Sequence, residues 1–313
     1  MISRRTLARL AGGAAATAVA HRAASAAEPV RLLVGFGPNS PMDFSARLVQ
    51  RPFAQALGQP VRIDYVIGDG SRKAAQEAIG AKGDSHTLLV ADIFLLCMHD
   101  AKGADLVSRL KPVAKLSRGI SYCLAVREDS PLADWAGFVA AAKGAPLTVA
   151  TAGSLSAPTV LVDMIEQRTG LALKQSPTRS THEALGLLMD GKVELAAIDT
   201  RLALLHNDQA LDEVRVLATF GAQRSPDLPL VPTFAEIVAD PKAAFTQSFA
   251  IFAPPAMEAG FVSRSTAALT GISDDNRAFL NAKKVRFPLQ IEGPEVVMQT
   301  VARDRRVIAS VIR

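Results

Sequence analysis

Two cysteines, Cys97 and Cys123, are all that 313 residues contain. Flanked by apolar residues they read as core thiols, although an exported chain would permit a disulfide between them. Cys97 with His99 is too small a set for a zinc site. The chain has no HExxH helix, no phosphate loop ending in Gly-Lys-Ser/Thr and no GxGxxG turn, so the usual metalloprotease and nucleotide signatures are missing. His86, His99, His182 and His206 are scattered singly. Gly68-Asp69-Gly70-Ser71 lacks the nucleophile-elbow pattern, which leaves Ser71 without a serine-hydrolase context. The apolar run from Leu7 to Ala20 is shorter than the roughly 20 residues that span a bilayer.

A basic folded domain is lacking as well. Ser3-Arg4-Arg5-Thr6-Leu7, an Ala/Gly run and Ala24-Ser25-Ala26 compose an export signal over residues 1–26, of twin-arginine type, with a Sec signal carrying a chance arginine pair as the alternative. Its removal takes away Arg4, Arg5, Arg9 and Arg22 and no acid, so the net charge falls from +5 to +1. A nucleic-acid partner would need a basic stripe on the folded part. The 49% apolar content fits buried α/β layers.

What is present is a repeated strand, loop and helix. Val30 to Phe36 is a buried strand, and Gly37-Pro38-Asn39-Ser40-Pro41 stops it. Ser40 caps the next helix, Pro41 takes its first position, and Asp43 suits a capping box. Phe44, Leu48 and Leu57 fall near one face, and Pro52 predicts a kink or a stop near Arg51. Val61 to Ile67 and a helix from Arg72 repeat the plan. Right-handed crossovers put both loops at one sheet edge, where helix amino termini offer N–H groups to an anion. Leu147 to Ala150 with a helix from Thr159, and Lys174 to Ser176 with a helix from His182, repeat it again. Val193 to Ile198 is a strand that delivers Asp199 to its carboxyl end. Residues 274–313 read as helical cover around an irregular 283–287 piece.

FGPNSPMDFSARLV from Phe36, then LGQPVRIDYVIGDGSRKA and DSHTLLV, resemble the periplasmic solute-binding proteins of tripartite tricarboxylate transporters, the Bug or TctC-like family. Leu217-Ala218-Thr219, Arg224 to Pro229 and Val231 to Glu236 extend the similarity. The resemblance implies an α/β, two-lobed periplasmic-binding-protein (Venus flytrap) fold, each lobe a mainly parallel sheet flanked by helices. The expected lobes are 28–126 plus 222–313 and 127–221. It implies a monomeric binding protein without cofactor, metal or nucleic-acid partner. Its partners would be a small carboxylate and the membrane subunits of a transporter. An enzyme on the same scaffold and the sensor lobe of a regulator are the other classes. The missing catalytic constellations weigh against the first, and the export signal against the second.

The resemblance also implies which residues touch the ligand. In lobe one these are Pro38, Asn39, Ser40, Met42 and Asp43, then Gly68, Asp69, Gly70, Ser71, Arg72 and Lys73. In lobe two they are Thr151, Ser154, Ser156, Arg179, Thr181 and Asp199. For each hydroxyl the plain alternative is capping its own helix. Asn39-Ser40 stands where the family has Gly-Gly, and Ser71-Arg72-Lys73-Ala74 where it has Gly-Asn-Ile-Gly. Arg72 and Lys73 oppose the helix dipole. Either they turn outward, with Asp69 pairing Arg72, or one clamps a second acidic group of the ligand.

Overall fold

The computed structural model describes residues 28–153, 156–207, 213–272 and 277–311. The export signal over 1–26 and the Ser154 assignment lie outside the described residues. In chain order the first part is β1 (Val30–Val34), α1 (Pro41–Leu57), β2 (Val61–Tyr65), α2 (Arg72–Gly80), β3 (Thr87–Asp92), α3 (Ile93–Ala101) and β4 (Lys111–Ser117). Next come β5 (Tyr122–Arg127), α4 (Trp135–Gly144), β6 (Leu147–Ala152), α5 (Ala157–Thr169), β7 (Leu173–Thr178), α6 (Thr181–Met189), β8 (Leu195–Asp199), α7 (Thr200–Asn207) and β9 (Val214–Thr219). The last part is α8 (Phe234–Ile237), β10 (Phe249–Ala253), α9 (Ala259–Thr270), α10 (Arg277–Lys284), β11 (Leu289–Glu292) and α11 (Pro294–Val311).

These strands make two sheets, ordered β11-β4-β10-β3-β1-β2 and β7-β6-β8-β5-β9. β1 is parallel to both β2 and β3, and β6 is parallel to both β7 and β8, as serial strand-loop-helix units require. β10 and β5 enter their sheets antiparallel. One apolar cluster runs through both sheets, and a smaller one around Cys123, Leu185 and Ile198 packs on the second. Each lobe is therefore a mixed sheet with its own helices.

Several expectations change. Tyr122 to Arg127 is apolar enough to suit either sheet, but it pairs with β8 and β9. Residues 122–126 thus belong with the second sheet, and the chain crosses before Tyr122 rather than at Arg127. At the crossing Ile120 pairs with Gln247, and Phe220 bonds both Tyr122 and Phe245. Pro52 does not stop α1, because Val49 and Phe53 on either side of it are fully buried and hold the helix to the core. The helix ends at Gly58, whose φ of 65° is the left-handed cap. The core face of α1 is Met42, Ala46, Val49 and Phe53, while Phe44, Leu48 and Leu57 are only half-buried. Cys97 on α3 and Cys123 on β5 are buried and free. Burial pushes the Cys97 thiol up to about 12.

Candidate functional site

A cavity of about 70 Å³ lies between the sheets, at the carboxyl ends of β1 and β6. It has room for about five water molecules, so it suits a ligand of a few heavy atoms. Its walls are the loop and first turn of α1, the first turns of α5 and α6, and the crossing segments that carry Tyr122 and Gln247. Phe36, Met42, Pro158 and Phe249 make much of the surface apolar.

Three capping serines stand around this space. Ser40, Ser156 and Ser180 each accept a hydrogen bond from the N–H three residues on, at Asp43, Thr159 and Glu183. The caps satisfy one N–H per helix and leave earlier ones free. Among the described residues, the N–H groups of Met42, Ala157 and Thr181 have no acceptor in the protein. All three residues line the cavity. Three positive helix ends and three free donors around one small space are an arrangement with the chemistry to hold an anion.

Of the residues expected to touch a ligand, Pro38, Ser40, Met42, Ser156, Arg179 and Thr181 line the cavity. The other described ones do not line it, and the reasons are visible. Asn39, at φ 67°, gives its N–H to Asp43 Oδ2. Asp43 is buried and fully engaged, by Arg47 Nε at 2.9 Å and Tyr65 Oη at 2.6 Å as well, so it locks the loop rather than facing a ligand. Burial and this carboxylate together raise the Tyr65 hydroxyl above its ordinary value.

The second loop, Gly68 to Lys73, packs against the first. Gly35 has no room for a Cβ, which would fall 1.8 Å from Ser71 Oγ. Ser71 sits at φ 72° under Gly35, and its side chain caps nothing. Gly70 offers its carbonyl to His99. Arg72 turns to Asp69 with Nε to Oδ2 at 2.5 Å, and the Lys73 stem lies against Gly68. The outward ion pair is the arrangement present.

In the second lobe Thr151 is buried one residue before the cavity wall. Asp199 is spent internally: its oxygens accept from Thr181 Oγ1 and the Leu202 N–H, with Arg201 Nε 3.3 Å away. Arg179 lines the cavity but is 91% exposed and paired with Glu183. Sequence reasoning missed Tyr122, Gln247 and Phe249, which come from the crossing and the returning strand. The one available signal was that such a crossing must pass beside the cleft. Among the described residues no cluster of metal-ligating side chains occurs, and no helix is long and apolar enough to cross a membrane.

Comparison with known proteins agrees with this fold. The chain is 28% identical over 249 residues to a protein of the gbd 5' region of Cupriavidus necator, covering 75% of each. It is 27% identical over 235 residues to protein BugT of Bordetella pertussis, covering 73% of this chain and 71% of that one. Among solved structures, periplasmic binding protein BugD superposes with TM-score 0.76 at 20% identity, over 90% of this chain and 97% of its own. MatC from Rhodopseudomonas palustris, solved with bound malate, gives 0.76 at 24%, over 91% and 99%. An R. palustris protein solved with adipate gives 0.78 at 20%, over 90% and 97%. These likenesses establish the two-lobed fold. The family described as tripartite tricarboxylate transporter family receptor, a family of solute receptors rather than enzymes, matches residues 45–290, and the chain belongs to it.

Proposed function

We propose that this protein captures a small organic acid between its lobes and delivers it to the membrane subunits of a tripartite tricarboxylate-type transporter. The observation that carries this reading is the meeting of the free Met42, Ala157 and Thr181 N–H groups at one cavity. A carboxylate there gains charge-assisted hydrogen bonds without a salt bridge. Neighbours of the same fold that hold malate and adipate support the ligand class. The small cavity favours compact acids over a tricarboxylate.

The lobes close by bending at 118–121 and 220–247, where the sheets exchange strands. The protein works as an exported monomer, and the arginine pair Arg4-Arg5 is its twin-arginine address. Replacing both with lysine blocks export if that route is used, whereas an unchanged periplasmic yield assigns the Sec route.

The ligand class is tested by thermal shift of purified mature protein against mono-, di- and tricarboxylates. A ligand at 100 times its dissociation constant adds about 2.7 kcal/mol. A flat response to every acid, with a shift for sugars or cations, overturns the reading.

A further inference from the structure

Behind the cavity wall runs a chain of side chains that the anion site does not use. Tyr122 Oη donates to Gln247 Oε1 at 2.5 Å, and Gln247 Nε2 donates to Asp92 Oδ2. Asp92 ends β3 and caps α3, its Oδ1 accepting from the N–H groups of Phe94 and Leu95 at 2.9 and 3.3 Å. All three side chains are at most 5% exposed, and Tyr122 and Gln247 line the cavity. The chain starts in the first sheet, passes the crossing, and ends on β5 at the cavity wall.

The direction of such a chain is fixed by its innermost member. An ionised Asp92 can only accept, so the Gln247 NH₂ must face it and the Gln247 carbonyl must face Tyr122. Tyr122 then spends its proton on Gln247 and shows the cavity only lone pairs. A proton on Asp92 must sit on Oδ2, because Oδ1 already receives two N–H groups. Gln247 must then turn its carbonyl to Asp92 and its NH₂ to the Tyr122 oxygen. That releases the Tyr122 proton toward the cavity.

We propose that Tyr122 is a specificity-determining residue whose hydrogen-bonding sense is set by the proton on Asp92: it accepts from a ligand hydroxyl when Asp92 is ionised and donates to a ligand carboxylate when Asp92 is protonated. The inference rests on the organic-acid reading above. Burial pushes the Asp92 carboxyl up to about 7, against the pull of its Gln247 and backbone hydrogen bonds. Asp304 on α11 adds to the rise, and it is held by Arg303, with Lys115 of β4 nearby and itself paired to Glu292. The Cys97 thiol on α3 faces the same group. Tyr122 faces Asp199 of β8 and Arg201 of α7 besides Asp92.

Two variants separate the states. Asp92→Asn keeps the α3 cap but offers an N–H to Gln247 at every pH, and so imitates the protonated form. Tyr122→Phe removes the group that reads it. Affinities for propionate against lactate, and for succinate against malate, are measured by calorimetry from about pH 6 to about pH 8.5, where these acids are largely ionised. In the native protein the acids without hydroxyl weaken by about tenfold as pH rises through 7, and their hydroxylated counterparts weaken less. Asp92→Asn holds the low-pH affinity throughout, and Tyr122→Phe abolishes both the pH dependence and the hydroxyl preference. Unfolding curves without ligand verify that each variant folds, and Tyr122→Phe alone decides if Asp92→Asn does not. Binding with a flat profile in the native protein, or an unchanged profile in either variant, overturns the inference and leaves the organic-acid reading standing. Failure of all four acids, and of the wider carboxylate panel, overturns both.

Discussion

The guanidinium carbon of Arg201, at the start of α7, lies 5.0 Å from the centre of the Phe44 ring on α1. One residue belongs to each lobe, so this contact bridges the cleft outside the ligand cavity. Arg201 is 10% exposed and is also held by Asp199, which places the cation over the ring in a largely dry setting. A cation–π contact of this kind contributes about 1 kcal/mol. Phe44→Leu keeps an apolar side chain and removes the ring face. Apparent ligand affinity should fall about fivefold, with small-angle scattering of the liganded protein shifted toward the open form. A ligand affinity unchanged within error would show that the contact adds nothing to closure.

Arg72 and Asp69 make the opposite case, since their pair is formed within one loop and faces solvent. Such exposed pairs contribute at most about 1 kcal/mol. Changing Arg72→Asn and Lys73→Ile together should therefore leave dicarboxylate and monocarboxylate affinities within about twofold of the native values. Selective loss of dicarboxylate binding would restore the clamp that the geometry removes.

Local chemistry was legible where a few adjacent residues decide it. Ser40-Pro41 starts a helix whatever surrounds it, and the strand-loop-helix rhythm dictates parallel neighbours, so the loops at the cavity mouth could be placed from sequence. Tyr122 and Gln247 could not, because they are 125 residues apart and meet only where two strands cross between sheets. The sheet membership of β5 was hidden for a related reason: a buried apolar strand carries no mark of which sheet takes it. The direction of Arg72 is set by its pairing with Asp69, which sits at a left-handed φ of 50° that the sequence does not announce. Residues 289–292 read as cover and instead add the edge strand β11, paired with β4 through an irregular register.

The free N–H of Ala157 can be removed without cutting the helix. Proline is tolerated at the first helical position, where the N–H has no intrahelical partner. Ser156 already has extended backbone, φ −156° and ψ 168°, as a residue before proline requires. Ala157→Pro should thus keep the helix, at a cost of about 1 to 3 kcal/mol for fitting the ring at a fully buried position, while weakening organic-acid binding by about tenfold, the loss of one hydrogen bond to a charged group. An unaffected affinity would mean that the carboxylate does not sit at the start of α5.

Stability should respond to pH through two buried acids. Burial pushes Asp304 up to about 6, opposed by Arg303 and Lys115, and pushes Asp92 up to about 7. A carboxyl whose folded value lies above its unfolded one binds its proton more tightly in the native state. Its contribution is complete below the unfolded value near 4 and is lost as pH rises through the folded value. Each acid therefore costs stability once ionised, over a window from about pH 4 to 6 for Asp304 and to 7 for Asp92. Glu183 and Glu236, lowered by hydrogen bonds and arginine partners, act in the opposite sense, so the test is a difference between proteins. Asp304→Asn cannot ionise, and its gain over the native protein should grow from pH 4 to pH 7 by on the order of 2 kcal/mol. That corresponds to roughly 3 to 4 °C in unfolding midpoint for a chain of this size. A difference between the two proteins that stays constant or shrinks across that window would show that Asp304 is ionised in the native state at no cost.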